Sequence, residues 1–334
     1  MFEGAAPRNI QFYIAGRCTF KMDSAHFFYK YCGALHLKFF IRKSCTMKPS
    51  FFLFFFFGAC LSVAAQHRKV KLPAELKEIS GIAYWPDQSL WALNDGGNTS
   101  DIYKIDPKTG KILEKRRLPI PNNDWEDLQS DGKGNLWIGD IGNNLSNRKQ
   151  LRFYRYHIVT GQIDSISFSY PDQKAFPPST EVARSFDAEA FICVNDTLHI
   201  FTKSRFKGNH YTKHYTIPAL PGSYIATLRD SLYLPKRAVS GAAISSDGQT
   251  LVLIAYYYKL RKFWLPYTRT NAYFITGFSG SDYLKGQIST QRLPKVFISR
   301  QFESISAFSG QTWLLANEGI LWQKPRLWRL TKKY

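Results

Sequence analysis

The stretch that decides the fold is Asn123-Asp124-Trp125-Glu126-Asp127-Leu128, which a turn-rich segment, Asp131-Gly132-Lys133-Gly134-Asn135, connects to the apolar run Leu136-Trp137-Ile138. A short polar signature, a turn and a β-forming run recur in this order along the chain. The other four signatures are Ile79-Ser80-Gly81-Ile82-Ala83, Asp187-Ala188-Glu189-Ala190-Phe191, Val239-Ser240-Gly241-Ala242-Ala243 and Phe302-Glu303-Ser304-Ile305-Ser306. Recurrence of one such pattern at similar intervals along a chain is typical of a repeat architecture built from supersecondary units.

Further strands follow the first two signatures, so that each unit contains four strands. No segment shows a sustained apolar stripe at helical spacing. The sequence therefore predicts an all-β protein, a β-propeller of five four-stranded blades. Six blades require a degenerate blade hidden in one of the two longest intervals. A β-sandwich is the alternative, but it does not explain a repeated signature.

The two ends of the propeller segment carry strands that are suited to pairing with each other. They are Arg68-Lys69-Val70-Lys71-Leu72 and Leu327-Trp328-Arg329-Leu330. Pairing between them closes the ring and leaves few exposed sheet edges. We therefore expect one blade to be shared between the beginning and the end of the domain.

Composition excludes several classes of protein. The chain has 334 residues, a formal net charge of +20, 44% hydrophobic residues and 16% aromatic residues. These values fit a globular protein and exclude wholesale disorder, a collagen-like repeat and a disulfide mini-scaffold. The positive charge favours anionic partners or is simply a solvated basic surface. No recognition-helix motif indicates nucleic-acid binding.

The segment 47–65 has the pattern of a secretory signal peptide. Lys48 precedes the phenylalanine-rich run of residues 51–57, and small residues lead to Ala65. This run is too short for a membrane span, which needs about 20 residues. We interpret residues 1–46 as a disordered upstream extension that precedes the true start, the alternative being a prodomain that bears cysteines. Residues 66–334 then form the propeller, exported to the periplasm or the extracellular space and expected to be a monomer.

The signatures begin the innermost strands, so their polar residues should surround one mouth of the central channel. The predicted mouth residues are Asn94, Asp95, Asp124, Glu126, Asp140, Asn143, Asn144, Asp187, Glu189 and Glu303, together with Glu78, Asp127 and Glu318. Clustered carboxylates must be compensated by a cation, by protonation or by arginines. Oxygen ligands with amide neighbours favour calcium, which we assign to Glu126, Asp140 and Glu189. The alternative is that these acids cap turns and pair with arginines.

Candidate catalytic residues come from the same positions. Asp124 or Asp187 could act as a general base, and Arg148 could hold an anionic substrate. Three serines, Ser80, Ser240 and Ser304, occupy similar slots. Because one active site needs only one nucleophile, we interpret these serines as blade-packing residues.

The pattern Glu78-x-Ser80-Gly81, Asp124-Trp125-Glu126-Asp127, Gly139-Asp140-Ile141-Gly142-Asn143-Asn144 with Arg148, and Asp187-x-Glu189-Ala190 resembles a family. It is similar to exported bacterial propellers of the SdiA-regulated and phytase-esterase-like kind, and more distantly to gluconolactonase-like calcium propellers. The signal peptide resembles those of Bacteroidetes. The resemblance implies a polar, calcium-bearing channel mouth and hydrolysis of phosphoric or carboxylic esters. Gly81 and Gly241 depart from an all-acidic ring.

Two functions are compatible with these residues. The first is a calcium-dependent hydrolase that acts on a small anionic phosphoester or a lactone at the channel mouth. The second is a non-catalytic propeller that binds a glycan or an envelope protein through the same face. The two differ in whether the acids activate water or only maintain the fold.

Overall fold

The computed structural model describes residues 69–203, 209–260, 266–294, 301–319 and 323–332, together with 13–14 and 18–19. The chain divides into two units, Met1–Phe56 and Phe57–Tyr334. In the first unit the described residues form one pair of short strands, β1 (Tyr13–Ile14) and β2 (Cys18–Thr19). The signal peptide, and the rest of the upstream extension, lie outside the described residues.

The second unit contains the propeller, whose strands form five blades. Blade 1 contains β4 (Ile79–Tyr84), β5 (Leu90–Asn94), β6 (Asp101–Ile105) and β7 (Ile112–Arg117). Blade 2 contains β8 (Trp125–Ser130), β9 (Asn135–Asp140), β10 (Leu151–His157) and β11 (Ile163–Ser169). Blade 3 contains β12 (Ala188–Val194), β13 (Thr197–Thr202), β14 (Tyr211–Pro218) and β16 (Thr227–Tyr233).

The remaining blades complete the ring. Blade 4 contains β17 (Ala238–Ile244), β18 (Thr250–Leu260), β19 (Pro266–Thr276) and β20 (Gln287–Arg292). Blade 5 contains β21 (Phe302–Ser309), β22 (Thr312–Asn317), β23 (Arg326–Thr331) and β3 (Lys69–Lys71). Short 3₁₀ turns lie at Ala74–Leu76, Glu181–Ala183 and Tyr283–Lys285. No described helix is long and apolar enough to span a membrane.

The inner strands establish that the blades form a closed ring. β4 contacts β8, β8 contacts β12, β12 contacts β17, β17 contacts β21, and β21 contacts β4. This arrangement confirms the predicted five-bladed propeller. The two long intervals between signatures hold connecting segments and the long β18–β19 hairpin, so no sixth blade is present among the described residues.

The ring is closed by strands from the two ends of the domain, as expected. β3 pairs antiparallel with β23, with Lys71 opposite Arg326 and Lys69 opposite Trp328. At the outer edge of blade 2, a strand from the blade 3 part of the sequence joins the sheet. There β15 (Gly222–Ile225), which lies between two strands of blade 3 in the sequence, pairs in parallel with β11.

Five apolar clusters lie between neighbouring blades, one at each interface. In the cluster between blades 2 and 3, for example, Phe153 and Phe168 from β10 and β11 pack with Phe191 from β12. The corresponding clusters join blades 3 and 4, 4 and 5, 5 and 1, and 1 and 2. Each blade buries both of its faces against neighbouring blades. Apolar and polar residues therefore alternate little along the strands.

The hairpin between β8 and β9 illustrates how the turn residues act. Asp131 accepts hydrogen bonds from the backbone N–H groups of Lys133 (2.8 Å) and Asn135 (3.2 Å). Gly132 and Gly134 adopt positive φ angles of 69° and 93°, which glycine tolerates without steric cost. This turn directs β9 back along β8.

Each inner strand carries a β-bulge at the same place, near its beginning. The pairing register with the second strand shifts around Ser80, Glu126, Glu189, Ser240 and Glu303. A bulge inserts one extra residue and re-aims its side chain. The repeated signature is therefore the sequence of a repeated bulge, which holds glutamate in three blades and serine in two.

The two bulge serines bond to the next blade. Ser80 Oγ donates to the carbonyl of Trp125 (3.2 Å), and Ser240 Oγ donates to the carbonyl of Phe302 (2.8 Å). These contacts agree with the blade-packing interpretation. Ser304 lies one residue beyond the bulge, and its buried hydroxyl has no hydrogen-bond partner in the part of the chain that the structure describes.

One side chain bonds to a blade that is not a neighbour of its own in the ring. Gln129 in blade 2 donates from Nε2 to the carbonyl of Ala242 in blade 4 (3.2 Å) and to Asp127 Oδ2 (3.2 Å). Asp127 also accepts from the backbone N–H of Phe191 in blade 3 (3.1 Å). These bonds join three blades around the channel.

The serine contacts give a matched test of the ring contacts. We expect Ser240→Ala to lower the free energy of unfolding by about 1 to 2 kcal/mol, because a buried hydrogen bond is lost. Ser304→Ala should change it by less than about 0.5 kcal/mol, or raise it, because that hydroxyl is buried without a partner. Urea unfolding followed by tryptophan fluorescence measures both, and equal losses would contradict this assignment.

Candidate functional site

The bulges place three glutamates at the same end of the ring. Glu126, Glu189 and Glu303 are 4%, 6% and 8% exposed, respectively. Each carboxyl group is therefore nearly buried although it belongs to a strand that borders the channel. Burial of three acids in one region requires either protons or cations to offset their charge.

A second set of positions in the mouth lies where the second strand of a blade ends. In four blades the backbone N–H at this position donates to the carbonyl of the residue two positions before the bulge. These bonds are Asp95 to Glu78 (2.9 Å), Gly142 to Asp124 (3.2 Å), Lys203 to Asp187 (2.8 Å) and Glu318 to Gln301 (3.2 Å). Equivalent backbone positions thus carry two acids, a glycine and a lysine.

Blades 1 and 2 bring three carboxylates together. One carboxylate oxygen from each of Asp95, Asp124 and Glu126 lies within 4.8 Å of the others. Among the described residues, no N–H group or cation contacts the carboxylate oxygens of Asp124 or Glu126. This trio has the donor chemistry of a site for a hard divalent cation.

Gly142 makes the trio possible. A Cβ atom at residue 142 would overlap the carboxylates of both Asp124 and Glu126. A Cβ atom at Gly96 would overlap the Asp124 carboxylate from the other side. The two glycines therefore leave the space that the acids occupy, a role consistent with the glycine-rich sequence around Asp140.

The acids of the trio hold protons more tightly than free carboxyl groups do. Burial raises the pKa of Asp95 to about 6, and the negative charges of Glu303 and Glu78 add to this effect. Burial, with the charges of Asp95 and Asp187, raises the pKa of Asp124 to about 6. Burial and the same neighbours raise the pKa of Glu126 well above its ordinary value. A divalent cation would relieve this repulsion.

Blade 5 contributes a second acidic group, Glu303 and Glu318, both of which are among the predicted mouth residues. Glu303 Oε1 accepts a hydrogen bond from Gln301 Nε2 (2.7 Å). Burial raises the pKa of Glu318 to about 9, and the charges of Glu303 and Asp95 contribute. Burial also raises the pKa of Glu303. At neutral pH the Glu318 carboxyl group therefore retains its proton.

Blade 3 contributes the cation that the sequence reasoning missed. The Lys203 ammonium forms an ion pair with Glu189 Oε1 and lies 6.0 Å from the centroid of the Tyr256 ring. Burial alone would lower the pKa of Lys203, but interactions with Tyr256, Asp187, Glu126 and Glu303 raise it overall. Aligning the ends of the second strands of the blades, which gives Lys203 and Asp95 the same position, could have identified it.

The glycine-rich segment of blade 2 forms a clamp beside the mouth. Arg148 donates to the carboxylate of Asp140 (2.8 Å) and to the carbonyl of Gly142 (2.6 Å). Asp140 also accepts from Asn123 Nδ2 (2.7 Å) and from the backbone N–H of Asp124 (3.1 Å). These bonds engage both carboxylate oxygens of Asp140, so the clamp holds the backbone that carries the trio.

The three predicted asparagines differ in burial. Asn143 lies between the blades, where its backbone N–H donates to Asp187 Oδ1 (2.7 Å). Asn94 is buried and donates to the carbonyl of Glu75 (2.7 Å), whereas Asn144 is exposed. The structure thus brings Asp95, Asp124, Glu126, Asp187, Glu189 and Glu303 into electrostatic contact around the mouth. The ligand roles of Asp140 and Glu189 and the substrate role of Arg148 stay predictions.

The fold and site define a β-propeller with an acidic channel mouth. It is similar in fold to the PQQ-bound aldose sugar dehydrogenase from Streptomyces coelicolor, at 12% identity and a TM-score of 0.45, over 80% of this chain and 98% of that chain. It is also similar to virginiamycin B lyase from Staphylococcus aureus, at 14% identity and a TM-score of 0.41, over 80% and 85% of the two chains. A streptogramin B lyase structure matches at 12% identity and a TM-score of 0.40, over 80% and 88%. No protein-family model and no curated protein matches the chain.

The raised pKa values predict an unusual dependence of stability on pH. The pKa values of Asp95 and Asp124 are both about 6, above the ordinary 3.8, so the folded state retains protons that the unfolded chain releases. Their contribution to the free energy of unfolding is complete below the unfolded value and is lost as the pH rises through 6. Glu318, with a pKa of about 9, extends this loss to higher pH.

We therefore expect the melting temperature of the chelator-treated protein to fall between pH 4 and pH 8 relative to that of the Asp95→Asn/Asp124→Asn variant. Thermal unfolding of both proteins over this range measures the difference. A constant difference at every pH would show that these two acids ionise as free carboxyl groups do.

Proposed function

We propose that the protein is an exported hydrolase. It depends on a divalent cation, for which calcium fits best, and it cleaves a phosphoester or a lactone at the channel mouth. The observation that carries this proposal is the trio of Asp95, Asp124 and Glu126, whose oxygens lie within 4.8 Å of one another. The resemblance of the Asp-Trp-Glu-Asp and Gly-Asp-Ile-Gly-Asn-Asn motifs to those of exported propellers, and the signal-peptide pattern of residues 47–65, support it.

The residues of the trio fit calcium by their chemistry. All three offer carboxylate oxygens, and none of the three is a nitrogen or sulfur ligand. The glycine cradle at Gly96 and Gly142 leaves room beside these oxygens. Asp95 would hold the ion from blade 1, and Asp124 and Glu126 from blade 2. A bound calcium ion would act as a Lewis acid toward a phosphoryl or carbonyl oxygen.

The chain supplies the groups that move the proton. Asp187 lies next to the trio on the ring. Its Oδ1 atom accepts a hydrogen bond from the backbone N–H of Asn143, with an N–O distance of 2.7 Å. We assign Asp187 as the general base that accepts a proton from the attacking water. Glu318 of blade 5, whose pKa is raised to about 9, would donate a proton to the leaving oxygen. Lys203 and Arg148 supply the positive charge near an anionic substrate.

Calcium binding is the first test. We expect added CaCl₂ to raise the melting temperature of the chelator-treated full chain, with a stabilisation of about 2.7 kcal/mol at a calcium concentration 100 times the Kd. Glu126→Gln should abolish this rise because it removes a ligand charge from the trio. Asp164→Asn, which removes an acid paired with Arg155 on an outer strand, should leave the rise intact. If added calcium does not change the melting temperature of the wild type, the metal site is refuted.

Hydrolysis is the second test. A screen of aryl phosphoesters and lactones should identify a substrate whose turnover needs calcium. Asp187→Asn should then lower kcat by at least about 100-fold, because a positioned base contributes this much, with the calcium-induced stabilisation retained. Turnover that survives Glu126→Gln would place the reaction elsewhere. Calcium binding without turnover of any substrate would instead favour the non-catalytic propeller that binds a glycan or an envelope protein.

A further inference from the structure

We propose that Lys203 is a built-in cation that fills a second cation position of the mouth, so that the ring accepts one divalent ion rather than two. The second position lies on the blade 3 side, where Glu189 contacts the ammonium group and the charges of Asp187 and Glu303 act on it. The inference rests on the proposed function only in assigning the first ion to Asp95, Asp124 and Glu126.

The backbone places Lys203 where other blades carry a ligand. Its N–H donates to the carbonyl of Asp187, as the N–H of Asp95 does to the carbonyl of Glu78. Asp95 belongs to the trio in blade 1, and Glu318 is acidic at the same position in blade 5. Blade 3 thus presents an ammonium group at a position where two other blades present a carboxylate.

Glu189 shows that the position has unused ligand capacity. Its Oε1 atom contacts the Lys203 ammonium, whereas its Oε2 atom is buried without a hydrogen-bond partner among the described residues. A buried carboxylate oxygen left in this state is costly. Because Glu189 is 6% exposed, water solvates the group poorly. A cation larger in charge than the ammonium would engage both oxygens.

More than one acid acts on the ammonium, which distinguishes Lys203 from an ordinary ion-paired lysine. Besides Glu189, the charges of Asp187, Glu126 and Glu303 interact with it. Lys213 in the next strand provides the contrast, since its Nζ atom pairs with Asp172 at 2.5 Å. A single ammonium group that contacts one carboxylate and interacts with the charges of three others occupies the place that a divalent ion takes in an oxygen-ligand site.

Lysine is suited to this role because its charge is compact and needs no supply of metal. The ammonium group offers three donors but cannot polarise a substrate oxygen as a divalent ion does. A lysine in the second position therefore offsets part of the acid charge permanently, and it leaves the trio as the site where an ion exchanges with solvent. The mouth is then a mononuclear site by construction.

The test is a calorimetric titration of the chelator-treated full chain with CaCl₂. We expect the wild type to bind one ion per chain and Lys203→Met, which keeps the length of the side chain but not its charge, to bind two. The first ion should bind to the variant at least about tenfold more tightly, because a nearby positive charge is gone. Lys203→Arg should bind one ion, as the wild type does.

Two further variants control for indirect effects. Lys213→Met removes an ion-paired lysine of the same blade and should bind one ion with unchanged affinity. Lys203→Met/Glu189→Gln should lose the second ion, because the carboxylate that would bind it is neutral. If Lys203→Met unfolds in chelator, its recovery of a cooperative melting transition on addition of CaCl₂ also supports the proposal, and failure to recover it contradicts the proposal.

The outcomes separate the two proposals. A wild type that binds no calcium, with a Lys203→Met variant that binds one ion and a Lys203→Met/Glu189→Gln variant that binds none, would refute the proposed trio site in the wild type and support the role of Lys203. One ion with equal affinity in both proteins would leave the trio site standing and overturn the role of Lys203. No binding in either protein would overturn both.

Discussion

The structure of the mouth depends on one backbone constraint, the bulge near the start of every inner strand. Because the extra residue cannot join the ladder, its side chain turns away from the regular alternation of the strand. The ring repeats this displacement five times around one axis. The residue at this structural position therefore decides what each bulge contributes. Serine there bonds to the next blade, and glutamate adds a buried charge.

The charge of the mouth follows from this constraint. Backbone geometry fixes where the glutamates lie, so they cannot separate to reduce their repulsion. Among the described residues their charge is handled in three different ways around the ring: the pKa values of the trio in blades 1 and 2 are raised, the ammonium group of Lys203 pairs with Glu189 in blade 3, and the pKa of Glu318 in blade 5 is raised to about 9. Each solution reflects the residue at the end of the second strand, namely Asp95, Lys203 or Glu318.

The sequence allowed the architecture to be predicted because the signatures recur and the strand runs follow them at similar distances. It also identified most of the mouth acids, since equivalent positions in a ring converge. It could not establish which acids meet. Asp140 lies in the motif that follows the one with Asp124, but the clamp formed with Arg148 engages its oxygens, and only coordinates reveal that contact. Lys203 follows an ordinary strand, so nothing in its local sequence distinguishes it.

Gln129 bonds to a blade that is not a neighbour of its own in the ring. Its amide donates to the carbonyl of Ala242 in blade 4 and to Asp127 in its own strand, and Asp127 accepts from the backbone N–H of Phe191 in blade 3. The inner strands of three successive blades are thus cross-linked a short way along the strands from the acids. Sliding one of these strands past the others would leave buried polar groups unpaired, so the network resists movements that change the spacing of the acids.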